Sequence, residues 1–355
     1  MLNLNPQTLK KLRRFREIKR GYYSFLILAG LLLTVSIGEV LVNNRALVVS
    51  YEGSWYFPVY TEFHPGTEFG LDYNYETNYR ELQASFEQAD SDNFVVMPLV
   101  PYSPYENHAP TGIYKPEPPT TSLKHYLGTD TTSRDILARL FYGTRIALLF
   151  SIAFMIWVYA IGVTIGCAMG YFGGMFDLIF QRLIEIWSNV PFLYMVIIVF
   201  SIIPSTFSIS TRIVILLTVM VLFSWTGMTY YMRTETYKEK ARDYTAAARI
   251  IGASHTRIIF HHILPNVTST LVTFMPFTIV SAISAITALD FLGFGLPPPT
   301  PSLGELLKQG TANLRTAPWI VTSAFVTLVV LLTLVTFIGE AIRESFDPKK
   351  FTIYK

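Results

Sequence analysis

Runs of about twenty consecutive apolar residues recur along this chain, and no other feature restricts its fold so tightly. In a bilayer every backbone N–H and C=O must be paired inside its own element, so such runs become helices. Six are read, near residues 22–42, 145–169, 183–203, 212–232, 267–289 and 318–339. The expected fold class is therefore an all-α integral membrane protein with six transmembrane helices. Charged residues make up 15% of the chain, against about 25% in a soluble protein, and the mean hydropathy is +0.38. The first run follows Lys10, Lys11, Arg13, Arg14, Arg16, Lys19 and Arg20, the charge order of a signal peptide. Its apolar core is longer than a signal peptide's, and Gly38 to Val42 holds no small-residue cleavage site, so it reads as an uncleaved first span.

Lys and Arg set the orientation. Residues 1–21 hold seven, 170–182 one, 233–266 six and 341–355 four, which is 18 of the 28 in the chain. Both termini and the 233–266 loop are thus expected in the cytoplasm. The chain divides into a basic cytoplasmic tail (1–21), a first helix (22–42), an outside insert (43–127), an amphipathic lead-in helix (128–144), a membrane core (145–342) and a cytoplasmic tail (343–355).

Several function classes drop out. The span middles are nearly free of charge, while Glu39, Arg145, Asp290 and Glu340 fall near span ends. Proton and ion relays place ionisable groups inside spans, so a secondary carrier or channel is disfavoured, though it stays the alternative. There is no His-Glu-x-x-His helix, and no Gly-Lys pair that could build a phosphate loop. The six histidines do not cluster in the membrane, Cys167 stands alone in an apolar run, and Met175, Met195, Met220, Met228 and Met275 read as core filler. No metal and no cofactor is expected. A net charge of +3 argues for no nucleic acid.

The insert 43–127 carries 11 acidic and 4 basic residues and 10 tyrosines. Proline-dense pieces such as "VMPLVPYSPYENHAP" favour extended backbone, and the aromatics imply packing, so it reads as a small lid at the outer mouth. Either it only thickens that face or it docks a partner. In "LGTDTTSRDILARLFYGTR", Asp130 or Thr131 is expected to cap the lead-in helix, with Ile136, Leu137, Leu140 and Phe141 on one face.

The stretch "DYTAAARIIGASHTRIIFHHILPN" sits between two spans in the cytoplasmic loop. Tyr244, Ala247, Ala248 and Ile251 share one helical face; Ile258, Ile259, His262 and Ile263 line a second. Gly252 costs a helix about 1 kcal/mol relative to Ala, so between two helical pieces it marks a bend or a close approach. Pro265 is expected to end the second piece before the next span. Ala246, Ala247 and Ala248 form a smooth surface, and Arg249 and Arg257 are placed to meet an acidic partner. The residues alone leave open a socket for a second protein and an ordinary basic loop.

The stretch resembles the signature of ABC-importer permeases: Glu-Ala-Ala, three residues, Gly, nine residues, Ile-x-Leu-Pro. Ala247, Ala248, Gly252, Leu264 and Pro265 match at the right spacing, while Ala246 replaces the usual Glu and His262 the usual Ile. "LGTDTTSRDILARLFYGTRIALLFSIAF", "GYFGGMFDLIFQRLIEIWSNVPFLYMVIIV", "ALDFLGFGLPPPTPSLGELLKQG" and "FIGEAIRESFDP" resemble the second permease subunit of dipeptide and oligopeptide importers. "WYFPVY" and "VPYSPYE" resemble its peptide/microcin-C (YejE-type) branch.

This resemblance implies a type-1 ABC importer permease fold. Its coupling helix, here 244–264 with Tyr244, Ala246, Ala247, Ala248, Arg249, Gly252, Ala253, Arg257, Leu264 and Pro265, docks into a separate ATP-binding subunit. The resemblance also implies a second homologous permease, a periplasmic solute-binding protein, a peptide or peptide-like substrate and a place in the bacterial inner membrane. The chain itself is then no enzyme. Asn189 and Pro191 interrupt the third span and Pro276 the fifth; they either line the route or simply kink helices for packing. Gly293, Gly295 and Pro297 to Pro299 read as a tight outer turn. The helix "SLGELLKQ" after it, beginning with Ser302, Leu303, Gly304 and Glu305, is by resemblance a contact for the docked binding protein.

Overall fold

A computed structural model of the chain describes residues 6–346 other than 62, 90, 91, 110, 111 and 205; most of the tail expected at 343–355 lies outside the described residues. The chain starts with α1 (Pro6–Glu17), α2 (Lys19–Ser36) and the short α3 (Gly38–Leu41). The insert follows, with β1 (Val48–Tyr51), β2 (Ser54–Tyr56), α4 (Tyr79–Gln88) and β3 (Phe94–Val96). The core comprises α5 (Ile136–Phe172), α6 (Gly174–Ser188), α7 (Phe192–Ile202), α8 (Ile209–Lys240), α9 (Asp243–Ile250), α10 (His255–Arg257), a π turn (Ile258–Ile263), α11 (Leu264–Leu292), α12 (Leu303–Ala312) and α13 (Pro318–Phe346).

Among the described residues four helices are long and apolar enough to cross a membrane: α5, α8, the run His255–Leu292 and α13. Two bent pairs raise the number to six, α1 with α2 at 96° and α6 with α7 at 71°. The lead-in helix expected at 128–144 is not a separate element. Asp135, rather than Asp130 or Thr131, caps α5 by accepting the Ala138 N–H at 2.7 Å. The helix then runs unbroken for 37 residues, about 55 Å, so its first turns stand outside the bilayer. Gly143 does not break it; it lets the Ser302 and Leu303 backbone pack closely.

The core is held by close helix approach. Gly162, Gly166 and Gly170 recur every four residues on α5 and face α8. A Cβ on Gly166 would lie 2.5 Å from the Thr229 carbonyl oxygen and 2.7 Å from the Met232 Cβ. Small residues at this spacing let two membrane helices pack backbone to backbone. Phe154, Val158, Cys167, Met220, Met228, Ile258 and Ile263 fill the interior around this seam. A second cluster joins α5, α11, α12 and α13 through Ile136, Leu148, Ile283, Leu306, Ile320 and Leu331.

The insert is more than extended chain. Its strands form an antiparallel sheet in the order β2-β1-β3, with Val49 opposite Tyr56 and Val95. Val49, Phe69, Tyr79, Leu82 and Phe86 give it a core of its own. The tyrosines that pointed to packing are used there: Tyr51 stacks on Phe86 with ring centroids 5.8 Å apart. The end of the first helix is tied to the insert by the Val100 N–H, which donates to the Leu41 carbonyl at 3.0 Å, and to α5 by the Tyr142 hydroxyl, which donates to the Val42 carbonyl at 3.0 Å.

Candidate functional site

The α9–α10 unit hangs between α8 and the π turn, fixed from three sides. From α8, the Tyr244 hydroxyl and the Thr245 hydroxyl donate to the Glu239 carboxylate and carbonyl at 2.6 and 2.8 Å. Burial, helped by Glu239, pushes the Tyr244 phenol above its ordinary pKa, so it stays a donor at neutral pH. From α5, the Tyr171 hydroxyl sits 2.9 Å from the His255 Nδ1, and the Arg249 guanidinium lies over the Tyr171 ring at 5.7 Å. From below, Ile258, Ile259 and Ile263 are buried in the core.

Gly252 makes the bend. Its φ is +85°, a left-handed conformation, and a Cβ there would meet nothing. The close approach considered from sequence is absent, and the need is conformational. The Ala253 N–H reaches back to the Ala248 carbonyl at 3.0 Å, closing a Schellman-type end. Ser254 then caps α10 at the Arg257 N–H.

The exposed face differs from the one expected. Thr245 and Ala248 point inward, and Tyr244 and Ala253 are half-buried, while Ala246, Ala247, Arg249 and Arg257 face out. Beside them stand Ile250 and Ile251, 87% and 85% exposed, the two most exposed large apolar side chains among the described residues. Periodicity puts Ile251 on one face with Ala248; in the structure Ala248 is buried while Ile251, just past the helix end at Ile250, is exposed. Their signal in the sequence was an Ile-Ile pair directly before a bend glycine.

Pro265 does not end the second piece. It sits in the first turn of α11, and the chain passes through it by widening into the π turn. The Leu264 N–H bonds the Ile259 carbonyl, five residues back. That spacing absorbs the missing proline N–H and relieves its ring of the carbonyl four residues before.

Between α5, α7, α8 and α11 lies a cavity of about 420 Å³. Aromatic rings line much of it (Phe154, Tyr159, Phe192, Tyr231, Phe274 and Phe277), with the hydroxyls of Ser224, Thr278 and Ser281 among them. No charged side chain lines it among the described residues. The Asn189–Pro191 break abuts it: Pro191 is the N-cap of α7 and the next residue, Phe192, is in the wall. Asn189 itself folds back, its amide donating to the Glu185 carbonyl at 2.7 Å. Pro276 is not among the residues of the cavity wall; it is buried inside α11 against Gly339 of α13.

Outside, Ser302, Leu303, Gly304 and Glu305 are buried, while Lys308, Thr311 and Ala312 of the same helix are exposed. The four do interior work instead. Ser302 caps α12 at the Glu305 N–H. Glu305 accepts from Arg139 at 2.5 Å and from Arg134 at 3.3 Å. Asp130 accepts from the Arg134 Nε at 2.8 Å and lies 3.4 Å from Arg139. Arg139 also donates to the Pro104 and Pro299 carbonyls at 3.1 Å, tying insert, α5 and the outer turn together. Nearby, the Asp290 carboxylate accepts the Leu296 N–H at 2.7 Å and closes that turn. Beneath the insert, buried His125 lies 2.8 Å from Asp135 and 3.1 Å from His108, with Tyr102 stacked on it at 4.0 Å. Burial pushes the Tyr102 phenol up to about 12 and lowers His108.

Residues 162–352 match the family described as "Binding-protein-dependent transport system inner membrane component". The inner membrane ABC transporter permease protein YejE of Escherichia coli strain K12 is 38% identical over 99% of both chains. The peptidoglycan transport system permease protein YejE of Agrobacterium fabrum strain C58 is 36% identical over 98% of this chain and 94% of its own. The dipeptide transport system permease protein DppC of Haemophilus influenzae is 34% identical over 63% of this chain and 74% of its own.

Proposed function

The chain belongs to the family of binding-protein-dependent transport system inner membrane components, and from that premise we propose that it is one permease subunit of an ATP-binding-cassette importer for peptides or peptide-like compounds. One observation carries the reading: the paired Ile250 and Ile251 stand almost fully exposed on a turn held rigidly to three spans. Apolar side chains presented this way are covered by a partner. The partner is a cytoplasmic ATP-binding subunit, because the chain has no phosphate loop of its own. A second homologous permease completes the path, a periplasmic solute-binding protein delivers the substrate, and both termini lie in the cytoplasm.

The cavity fits the substrate class. Its hydroxyls can pair with amide N–H and C=O groups, which all peptides share, and its aromatic walls accept varied side chains without a fixed charge to select among them. One relative is named for dipeptides and another for peptidoglycan; an amide backbone is common to both. Transport then proceeds by rocking of packed helices around this cavity.

The test is purification of the tagged chain from its native membrane in mild detergent, with mass spectrometry of what accompanies it. An ATP-binding subunit together with a second permease is the expected result. A lone chain or homo-oligomer, reproducibly free of any ATPase, overturns the reading.

A further inference from the structure

The N-terminal elbow encloses a second cavity, remote from the first. α1 turns 96° into α2, and α2 is pressed onto α13: a Cβ on Gly21 would lie 2.0 Å from the Ala341 Cβ. The angle leaves a groove of about 480 Å³ between α1 and the end of α13, in the size range of sites for small molecules. Leu12 and Phe15, one helical turn apart on α1, form one wall; Phe25, Ile338 and Ile342 form much of the rest. The lining is almost entirely apolar, apart from Lys11 and Arg16.

Those two cations are the informative part. Two nearby arginines have acidic partners: Arg20 faces Glu340 and Glu344, and Arg13 faces Glu17. Lys11 and Arg16 have only aromatic faces, Phe346 at 4.3 Å and Tyr22 at 5.9 Å, and no carboxylate among the described residues. A helix that is basic on one side and apolar on the other, set at a sharp angle to a span, lies in the plane of the membrane interface. An apolar groove that opens there beside two cations with no carboxylate among the described residues matches a molecule with an acyl chain and an anionic headgroup.

We propose that this groove binds one anionic phospholipid, its acyl chain against Leu12, Phe15 and Ile342 and its phosphate held by Lys11 and Arg16. The site fastens the elbow to the end of α13 through a lipid. It shares no residue with the α9–α10 unit or the aromatic cavity, so it stands apart from the transport reading.

The full-length chain, with whatever subunits accompany it, is equilibrated in mixed micelles of phosphatidylglycerol and phosphatidylethanolamine in equal amounts and examined by native mass spectrometry. The expected result is one retained phosphatidylglycerol per chain. Lys11→Gln with Arg16→Gln lowers the preference for phosphatidylglycerol about thirty-fold, since each interfacial cation contributes about five-fold. Lys10→Gln with Arg13→Gln removes the same charge outside the groove and leaves the preference in place. Equal retention of both lipids by the native chain overturns the proposal. So does equal loss in the two double variants, which means diffuse surface charge rather than a site. A photoreactive residue at position 12 separates the last alternative: labelled lipid supports the proposal, and a crosslink to a second permease subunit refutes it.

Discussion

Replacing Ile250 and Ile251 together by alanine tests the coupling surface most directly. Their 87% and 85% exposure means that the isolated chain loses little from the change; exposed substitutions of this kind stay within about 0.5 kcal/mol in stability. If an ATP-binding subunit covers both, each substitution strips three carbons from a buried contact. At about 0.8 kcal/mol per buried CH₂ the pair contributes up to about 5 kcal/mol. Interface contributions are not additive and ordering offsets part of them, so about half is expected, roughly 2.5 kcal/mol or a seventy-fold weaker complex. The assay is the affinity of the purified ATPase for the chain in nanodiscs, with thermal stability measured in parallel. Ala246 and Ala247 flank the knob and touch nothing inside, so enlarging either to Glu should weaken the complex as well. An affinity within about three-fold of native for the double alanine variant, at unchanged stability, refutes the docking role.

Three further outcomes follow from the packing. Gly166→Ala drives a Cβ into the Thr229 carbonyl and Met232 across the α5–α8 seam, costing about 1–3 kcal/mol and lowering the unfolding temperature, whereas Gly30→Ala, with open space around it, does not. Arg139→Met leaves Glu305 with Arg134 alone and costs about 3–5 kcal/mol, most of it recovered by adding Glu305→Leu; denaturation in detergent reads both. His108 is held below its ordinary value of 6.5 by burial, so the unfolded chain binds protons more readily. The insert therefore loses stability as pH falls below about 6.5 toward the lowered value; proteolysis of the insert in the intact protein should quicken at pH 5.5 and do so less in His108→Asn.

The spans were legible because lipid leaves one solution for twenty apolar residues, and the bend at Gly252 because a glycine between helical pieces has few other uses. What the sequence hid was contact. Gly162, Gly166 and Gly170 carry no hydrophobic signal, yet their missing side chains let α5 and α8 pack backbone to backbone. Nothing in the local sequence marks Arg134, Arg139 and Glu305 as buried, yet they are, paired across 166 and 171 residues of chain separation. Ser302 to Gln309 reads as a short outer helix, but its eight residues do not show which of them turn inward, and Ser302 to Glu305 are the ones that do. The sheet of the insert was masked by prolines that lie mostly in its connections rather than in its strands.

The π turn at Ile258–Ile263 sits where a hinge is needed. On one side the α9–α10 unit is tied to Glu239 of α8 and Tyr171 of α5, and the glycine seam locks those two helices together. On the other, α11 carries Phe274, Phe277, Thr278, Ser281, Ala282 and Ala285 of the cavity wall. A push on Ile250 and Ile251 would reach α11 along the chain through six residues bonded at the wider i→i+5 spacing, and across the helices through the Tyr159–Thr278 hydroxyl contact and the Leu148–Ile283 cluster. The two walls can then shift relative to each other, which opening and closing the cavity requires. Pro265→Ala tests this. It restores an N–H able to bond the His261 carbonyl, worth about 1 kcal/mol, and favours closure of the turn into regular helix. The expected outcome is a stiffer link, with ATPase affinity unchanged, thermal stability equal or higher and the transport rate in proteoliposomes reduced. Native transport in a variant whose π turn has closed, shown by its structure, would mean that α11 moves with the α5–α8 body and that the cavity opens elsewhere.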